Sequence, residues 1–144
     1  MNQGAIFHFT IPINDIERAK QFYAVGLSCQ VGRENKQAVI FNFYGTQLVA
    51  HITKEPLSKQ KGIYPRHLGL ILPTLEAWQA IADRAEEHQL TFYEQPKLRF
   101  VGKLTQHQTF FLEDPFYNLL EFKYYHYPEA IFAGRELTEI GDRS

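Results

Sequence analysis

The segment His8-Phe9-Thr10-Ile11-Pro12-Ile13 is matched, 59 residues further along the chain, by His67-Leu68-Gly69-Leu70-Ile71-Leu72. Each segment starts with a histidine and has apolar residues at alternate positions. Each is followed by a helix-like stretch in which Glu17 and Glu76 correspond. A repeat of this length usually marks one supersecondary unit that is used twice. We therefore expect two copies of one module, each with a histidine at the same point of its first strand.

Alternation within each first strand predicts where its histidine points. The apolar residues fall at every second position, as a strand with one buried face requires. That face should pack on the helix that follows, for which Asn14 with Glu17 forms a capping box and Thr74 a second N-cap. His8 and His67 should then project from the opposite, concave faces of their sheets.

The remaining pattern predicts the same order of elements in each copy: a strand, a helix and three further strands. The strands are predicted at about 5–13, 28–32, 37–43, 46–53, 66–72, 91–94, 106–112 and 119–125. One helix is predicted between the Asn14 cap and Gly26, which lies just past its end, and the other at about 75–89. This is an α+β fold of two βαβββ modules that form a curved mixed sheet cup, with the helices outside. One domain, 1–144, is expected to comprise module 1 (about 5–53), a linker (54–65), module 2 (about 66–125) and a C-terminal tail (126–144).

Composition and charge restrict the class of protein. With 44% hydrophobic and 15% aromatic residues, the 144 residues can build a packed core. A net charge of −1 without runs of like charge argues against a nucleic-acid or membrane-surface partner. The single cysteine, Cys29, suits a reducing cytosol, and no stretch has the pattern of a signal peptide or a membrane-spanning helix. We expect a cytoplasmic protein that acts on a small molecule.

A carboxylate and two histidines on the inner faces suggest a metal site. Glu121 lies in the middle of a very apolar strand, where an unpaired charge is costly. With His8 and His67 it would supply two imidazoles and one carboxylate, a set that suits a divalent transition ion and non-haem Fe(II) in particular. Each of these residues, considered alone, also has an ordinary structural explanation. A strand histidine is commonly a surface or internally bonded residue, and Glu121 could face water on an open sheet.

Three stretches stand out together: the first strand with its helix (8–23), His67-Leu68-Gly69-Leu70, and Asp114-Pro115-Phe116-Tyr117-Asn118-Leu119-Leu120-Glu121-Phe122. They resemble the vicinal oxygen chelate superfamily, which includes glyoxalase I, the fosfomycin and bleomycin resistance proteins, and extradiol dioxygenases. The resemblance covers about residues 5–125. It implies a cup of paired modules around a divalent metal held by His8, His67 and Glu121. It also implies a substrate that binds this metal through two neighbouring oxygens, with the metal as a Lewis acid.

His51 bears on which branch of the superfamily the chain resembles. It stands where glyoxalases have a glutamate that is both ligand and base, whereas extradiol dioxygenases have an acid–base histidine on this strand. Here His51 precedes His67 by 16 residues. A neutral imidazole can take a proton from a substrate hydroxyl and return it. A fourth metal ligand and a partner-bonded interior histidine are the alternatives. Phe111 stands where extradiol enzymes usually have a tyrosine, so the resemblance favours a dioxygenase-like member without implying catechol cleavage.

Two further residues are candidates for substrate binding. Arg99, predicted in a loop before the seventh strand, could hold an anionic group, and Phe111 could line the pocket. An exposed loop arginine and an ordinary core phenylalanine are the alternatives.

The sequence as a whole predicts a dioxygenase-like metalloenzyme. Fe(II) is the favoured metal, with Mn, Ni or Zn as alternatives, and sheet edges and apolar surface predict a homodimer. Two other functions stay open. One is a glyoxalase-type isomerase or thiol transferase, and the other is a non-catalytic binding protein of the bleomycin-resistance type.

Overall fold

The computed structural model describes residues 4–138 and 140, and its strands form two mixed sheets of four strands each. Sheet 1 contains β1 (His8–Ile13), β2 (Gln30–Glu34), β3 (Ala38–Phe43) and β4 (Thr46–Ile52). Sheet 2 contains β5 (Leu68–Ile71), β6 (Thr91–Arg99), β7 (His107–Glu113) and β8 (Leu119–Tyr125). The strand orders are β1-β4-β3-β2 and β5-β8-β7-β6. In each sheet the first strand pairs in parallel with the last and the other pairs are antiparallel, which confirms the α+β fold with two βαβββ modules.

Each module has one main helix, and both helices begin at a side-chain cap. Helix α1 (Ile16–Lys20) continues as a π-helical segment, Gln21–Gly26, and α2 spans Leu75–Glu87. The α1 cap is Asp15, whose carboxylate accepts from the Arg18 amide at 3.0 Å, so the predicted cap at Asn14 is wrong by one residue. Asp15 has the extended backbone that directs a cap side chain toward this amide. Thr74 caps α2 as predicted, accepting from the Ala77 amide at 3.0 Å.

One hydrophobic core joins the two modules. The indole nitrogen of Trp78 donates to the Phe122 carbonyl at 2.8 Å, and the rings of Phe43 and Phe122 lie 6.1 Å apart. The buried cluster draws on both sheets and both helices, and its members include Ile11, Ile13, Tyr23, Leu27, Phe41, Phe43, Leu48, Trp78, Phe110, Leu112, Leu120 and Phe122. Because strand side chains alternate, this core uses one face of each sheet and leaves the other face for the candidate site residues.

The sheet faces that point away from the core, called the outer faces below, are those predicted to be concave, and the two differ in how they are covered. On sheet 2 the linker packs across the face, since Ile63 is buried against Phe111 and Leu119, and Lys59 pairs with Glu113 at 3.5 Å. On sheet 1 the β1 residues of this face, including His8, are exposed. The two modules are therefore alike in topology but not in the environment of their histidines.

Strand β6 is longer than predicted. The sequence predicts a strand near 91–94, whereas β6 continues to Arg99 through two register shifts against β7. Pro96 argues against a strand at this point of the sequence, because proline cannot donate to a strand ladder. It is tolerated here because β6 is an edge strand. Arg99 is consequently the last strand residue and not part of the loop that follows.

The C-terminal tail contains a short 3₁₀ helix, Pro128–Ile131. The predicted tail residues 139 and 141–144 lie outside the described residues. In the part of the chain that the structure describes, no helix combines the length and apolar character needed to cross a membrane.

Candidate functional site

His67 and Glu121 meet on the outer face of sheet 2. His67 directly precedes β5, and Glu121 lies at the centre of β8. His67 Nε2 and Glu121 Oε1 are 3.1 Å apart, and the two side chains are 20% and 7% exposed. Two of the three predicted metal ligands, 54 residues apart in the chain, are thus brought together in a largely buried setting.

Both side chains are oriented by a second partner. The Ile63 carbonyl lies 2.8 Å from His67 Nδ1, and Thr109 Oγ1 donates to Glu121 Oε2 at 2.6 Å. A carbonyl can only accept, so Nδ1 carries a proton and, in the neutral ring, Nε2 has a lone pair directed at the carboxylate. Two acceptors at 3.1 Å require a cation between them, either a proton on Nε2 or a metal ion. Outer partners of this kind are what metal-binding histidines and carboxylates use.

The protonation equilibria agree with this geometry. The hydrogen bond to Glu121 raises the pKa of His67 above its ordinary value, against the opposing effect of burial. Burial alone would raise the pKa of Glu121, but the His67 hydrogen bond, the charge of Lys123 and the Thr109 hydrogen bond together hold that pKa below its usual value. The pair therefore favours an imidazolium beside a carboxylate when no other cation is present.

His8 and His51 lie on sheet 1, away from this pair. His8 Nδ1 is 2.7 Å from Gln47 Oε1 in an exposed position, and His51 is also exposed, with Nδ1 3.0 Å from the Ile52 carbonyl. Among residues 4–138 and 140, no three histidine, cysteine, aspartate or glutamate side chains are grouped so that they could hold a metal ion. The chain by itself assembles His67 and Glu121 without His8.

The predicted substrate-binding residues both lie on the outer face of sheet 2. The Phe111 ring is fully buried, and its centroid is 5.0 Å from that of His67 in an edge-to-face arrangement. Arg99 is 3% exposed, its Nη2 is 3.3 Å from Glu94 Oε2, and its guanidinium carbon lies 6.0 Å from the Phe111 ring centroid. The alternative of an exposed loop arginine is therefore wrong, because the extension of β6 carries Arg99 into the sheet.

Thr109 was not identified from the sequence as a site residue. It pairs in register with Lys123 on β8 and shares the face of Phe111 and Glu121. Side chains alternate along a strand, so counting back two residues from Phe111 on β7 predicts that Thr109 lies on the same face. Without the register between β7 and β8, its contact with Glu121 could not be inferred.

Comparisons with known proteins agree with the fold. Residues 5–122 match the family model described as "Glyoxalase/Bleomycin resistance protein/Dioxygenase superfamily". A glyoxalase/bleomycin resistance protein/dioxygenase from Alicyclobacillus acidocaldarius is 34% identical, with a TM-score of 0.84 over 89% of this chain and 96% of that chain. The fosfomycin resistance protein FosX from Listeria monocytogenes is similar in fold alone, at 13% identity and a TM-score of 0.69 over 88% of this chain and 97% of that one. No curated protein sequence matches the chain.

Proposed function

Because the chain belongs to the glyoxalase/bleomycin resistance protein/dioxygenase superfamily, we propose that it is a metal-dependent enzyme in which His67 and Glu121 are two of the metal ligands. The observation that carries the proposal is the Nε2–Oε1 pair at 3.1 Å, two atoms that require a cation between them. His67 and Glu121 would hold a divalent ion in place of the proton that they otherwise share. The hydrogen bonds from His67 to the Ile63 carbonyl and from Thr109 to Glu121 support the metal-ligand assignment, because they fix the orientation of both metal-ligating side chains.

The third ligand in this proposal is His8 of the partner subunit in a symmetric homodimer. Within the chain His8 is exposed, and its Nδ1 lies 2.7 Å from Gln47 Oε1. A two-fold dimer that applies the outer face of sheet 1 to sheet 2 of the other copy would create two equal sites. Ile6 and Phe7, which are exposed in the segment that leads into β1, give this part of the molecule apolar surface of the kind that such an interface buries.

His51 would line the same cleft between the subunits as His8, four residues further along the sheet. The two histidines share a face of sheet 1, because His8 pairs with Gln47 and Pro12 pairs with His51 in register. As a neutral imidazole, His51 would accept a proton from a substrate hydroxyl and return it. Phe111 would line the pocket beside His67, and Arg99 stays the candidate for an anionic substrate group.

The proposed chemistry is dioxygenase-like, with a small substrate that offers two neighbouring oxygens. Two histidines and one carboxylate with open positions suit Fe(II), with Mn, Ni or Zn as alternatives. When bound, such an ion supplies Lewis acidity to the substrate oxygens. A glyoxalase-type isomerase or thiol transferase is the alternative within enzymes, and turnover of methylglyoxal with a thiol, without oxygen uptake, would favour it.

A non-catalytic binding protein of the bleomycin-resistance type is the second candidate. It is favoured by one observation, that the described part of a single chain groups only two metal-binding side chains at the site. The two candidates differ in whether the purified protein contains metal.

Metal analysis of anaerobically purified protein tests the proposal. The native chain should hold close to one divalent ion, whereas His67→Ala and Glu121→Gln should lose it. His88→Gln is the matched control, because His88 lies at the end of α2 and outside the site. Equal metal content in the native chain and in His67→Ala would overturn the assignment. An oxygen-consumption screen with catechols and 2-oxo acids then tests the dioxygenase-like reaction.

A further inference from the structure

The linker between the two modules closes into a small loop directly in front of His67. The loop is tied together by Gln60, whose side chain is half-buried. Gln60 Nε2 donates to the Gly62 carbonyl at 2.9 Å and to the Arg66 carbonyl at 2.8 Å. Gln60 Oε1 accepts from Arg66 Nε at 2.9 Å. One side chain therefore holds together the two ends of segment 62–66.

The orientation of the Gln60 amide follows from its partners. An arginine can only donate and a carbonyl can only accept, so the amide oxygen faces Arg66 Nε and the NH₂ group faces the two carbonyls. The reversed amide would place donors against a donor and an oxygen against oxygens. This arrangement requires an acceptor and two donors on one side chain, which neither a hydrocarbon nor a carboxylate supplies.

Segment 62–66 carries the partner that orients His67. Ile63 lies within it, and the Ile63 carbonyl accepts from His67 Nδ1 at 2.8 Å. Arg66 directly precedes His67 in the chain. Because Gln60 fixes both ends of the segment, it sets where the Ile63 carbonyl lies relative to the imidazole ring.

The Ile63 side chain attaches the same segment to sheet 2. It is buried against Phe111 and Leu119. Apolar burial is non-directional, so it fixes where Ile63 lies but not where its carbonyl points. The direction of the carbonyl therefore depends on the hydrogen bonds that Gln60 makes on either side of it.

We propose that Gln60 is a positioning residue for His67, acting through the backbone of segment 62–66. By holding the Ile63 carbonyl at His67 Nδ1, Gln60 keeps a proton on Nδ1 and directs Nε2 toward Glu121. The effect of Gln60 on metal binding rests on the proposed metal-dependent function, whereas its effect on the His67 ring requires no metal.

The effect on the ring is tested in metal-free, full-length protein by NMR of ¹⁵N-labelled histidine side chains in EDTA. The native protein should show a slowly exchanging Nδ1 proton, assigned to His67 by its absence from His67→Gln. Gln60→Leu should lose this signal, because the Ile63 carbonyl is no longer held in place. Absence of the signal from the native protein, or its full retention in Gln60→Leu, would overturn the proposal.

Gln79→Leu is the matched control for this substitution. Gln79 donates to Asp83 at 2.9 Å on an exposed part of α2, outside the site. The variant loses a glutamine hydrogen bond without touching the linker, so the His67 signal should persist. Loss of the signal in Gln79→Leu as well would show that it does not report on the loop, and would overturn the proposal.

Gln60→Glu separates the donated hydrogen bonds from the contact with Arg66. The carboxylate keeps the length of the side chain and can still accept from Arg66 Nε, but it has no N–H for the Gly62 and Arg66 carbonyls. The His67 signal should therefore be lost, as in Gln60→Leu. A Gln60→Glu protein that keeps the signal would overturn the role of the two donated bonds.

The effect on metal binding is tested with zinc alone, by competition with a chromophoric chelator. Zinc is the probe because a nitrogen and oxygen donor set that holds Fe(II) binds zinc at least as tightly. Gln60→Leu should bind zinc about 10-fold more weakly than the native protein or Gln79→Leu, at the lower end of the cost of losing an outer partner of a ligand. Unchanged affinity in Gln60→Leu, beside a native protein that binds zinc, would overturn the proposal.

The metal and the positioning role can be judged separately. A native protein that binds no zinc, but in which the His67 signal depends on Gln60, would contradict the metalloenzyme and support the positioning role. Zinc binding with a His67 signal that is independent of Gln60 would contradict the positioning role alone.

Discussion

Gly69 and Glu121 pair in register where β5 meets β8, and the backbones approach so closely that only glycine fits. A Cβ on Gly69 would lie 1.7 Å from the Glu121 carbonyl oxygen. This approach brings the start of β5, and with it His67, to the centre of β8. Gly69 thus positions His67 beside Glu121, because it has no side chain to keep β5 and β8 apart.

Gly69→Ala should disrupt both fold and site. Because the Cβ would meet backbone atoms, β5 must move, and we expect a loss of about 3 kcal/mol or more in the free energy of unfolding. Gly62→Ala is the control, since a Cβ there meets no atom within 4 Å. Urea unfolding measures both variants. A Gly69→Ala protein as stable as Gly62→Ala would contradict the close approach.

Tyr117 occupies a left-handed backbone position in the turn between β7 and β8, with φ of 69°. The turn is held by Asp114, which accepts from the amides of Phe116 and Asn118 at 2.8 Å each. Non-glycine residues pay about 1–2 kcal/mol in this conformation. Tyr117→Gly should therefore be about 1 kcal/mol more stable than Tyr117→Ala, because both lose the ring and only the alanine keeps the Cβ. Thermal unfolding measures the stability of both variants. A Tyr117→Ala protein more stable than Tyr117→Gly would contradict the left-handed backbone at this position.

Tyr23 connects the helix of module 1 to that same turn. Its hydroxyl donates to Asp114 Oδ2 at 2.6 Å, and both side chains are buried. Tyr23→Phe should cost about 1.5–3 kcal/mol, as expected for a buried hydrogen bond to a charged group. Tyr44→Phe, which removes a bond to the Leu27 carbonyl at a half-buried position, should cost only about 0.5–1.5 kcal/mol. The reverse order in urea unfolding would show that Asp114 is not held by Tyr23.

The stability contributed by His67 should fall as the pH rises. Its pKa is raised in the folded protein by the Glu121 hydrogen bond, so its contribution is complete below the unfolded-state pKa of about 6.5. The contribution is lost as the pH rises through the higher folded-state pKa. In EDTA, the stability difference between the native chain and His67→Gln should shrink from pH 5.5 to pH 9. In a Glu121→Gln background the difference should vary much less. A difference that grows with pH would contradict the pairing.

Much of the fold follows from the repeat of the His8 and His67 segments. Strand alternation and the caps before each helix predicted two modules, and the apolar setting of Glu121 indicated that it needs a partner. Two features could not be predicted. The packing of Ile63 across sheet 2 depends on the path of a linker without periodicity, and Pro96 conceals the second half of β6.

The relation between His8 and the His67–Glu121 pair also lies beyond sequence reasoning. Equal positions in a repeat place both histidines on outer faces, but they do not determine whether those faces meet within one chain or between two. The proposed metal site depends on faces that meet between two copies of the chain. His8 is exposed beside Gln47 and His67 is half-buried beside Glu121, which is compatible with that arrangement.

Metal analysis of mixed dimers tests this arrangement most directly. One copy carries His8→Ala, the other carries His67→Ala with Glu121→Ala, and the two bear different affinity tags so that the heterodimer can be isolated. The heterodimer should hold one ion, the native dimer two, and each variant alone none, because only the mixture joins an intact His8 to an intact His67–Glu121 pair. A heterodimer as empty as its parents, beside a native dimer that holds metal, would contradict a site shared between copies.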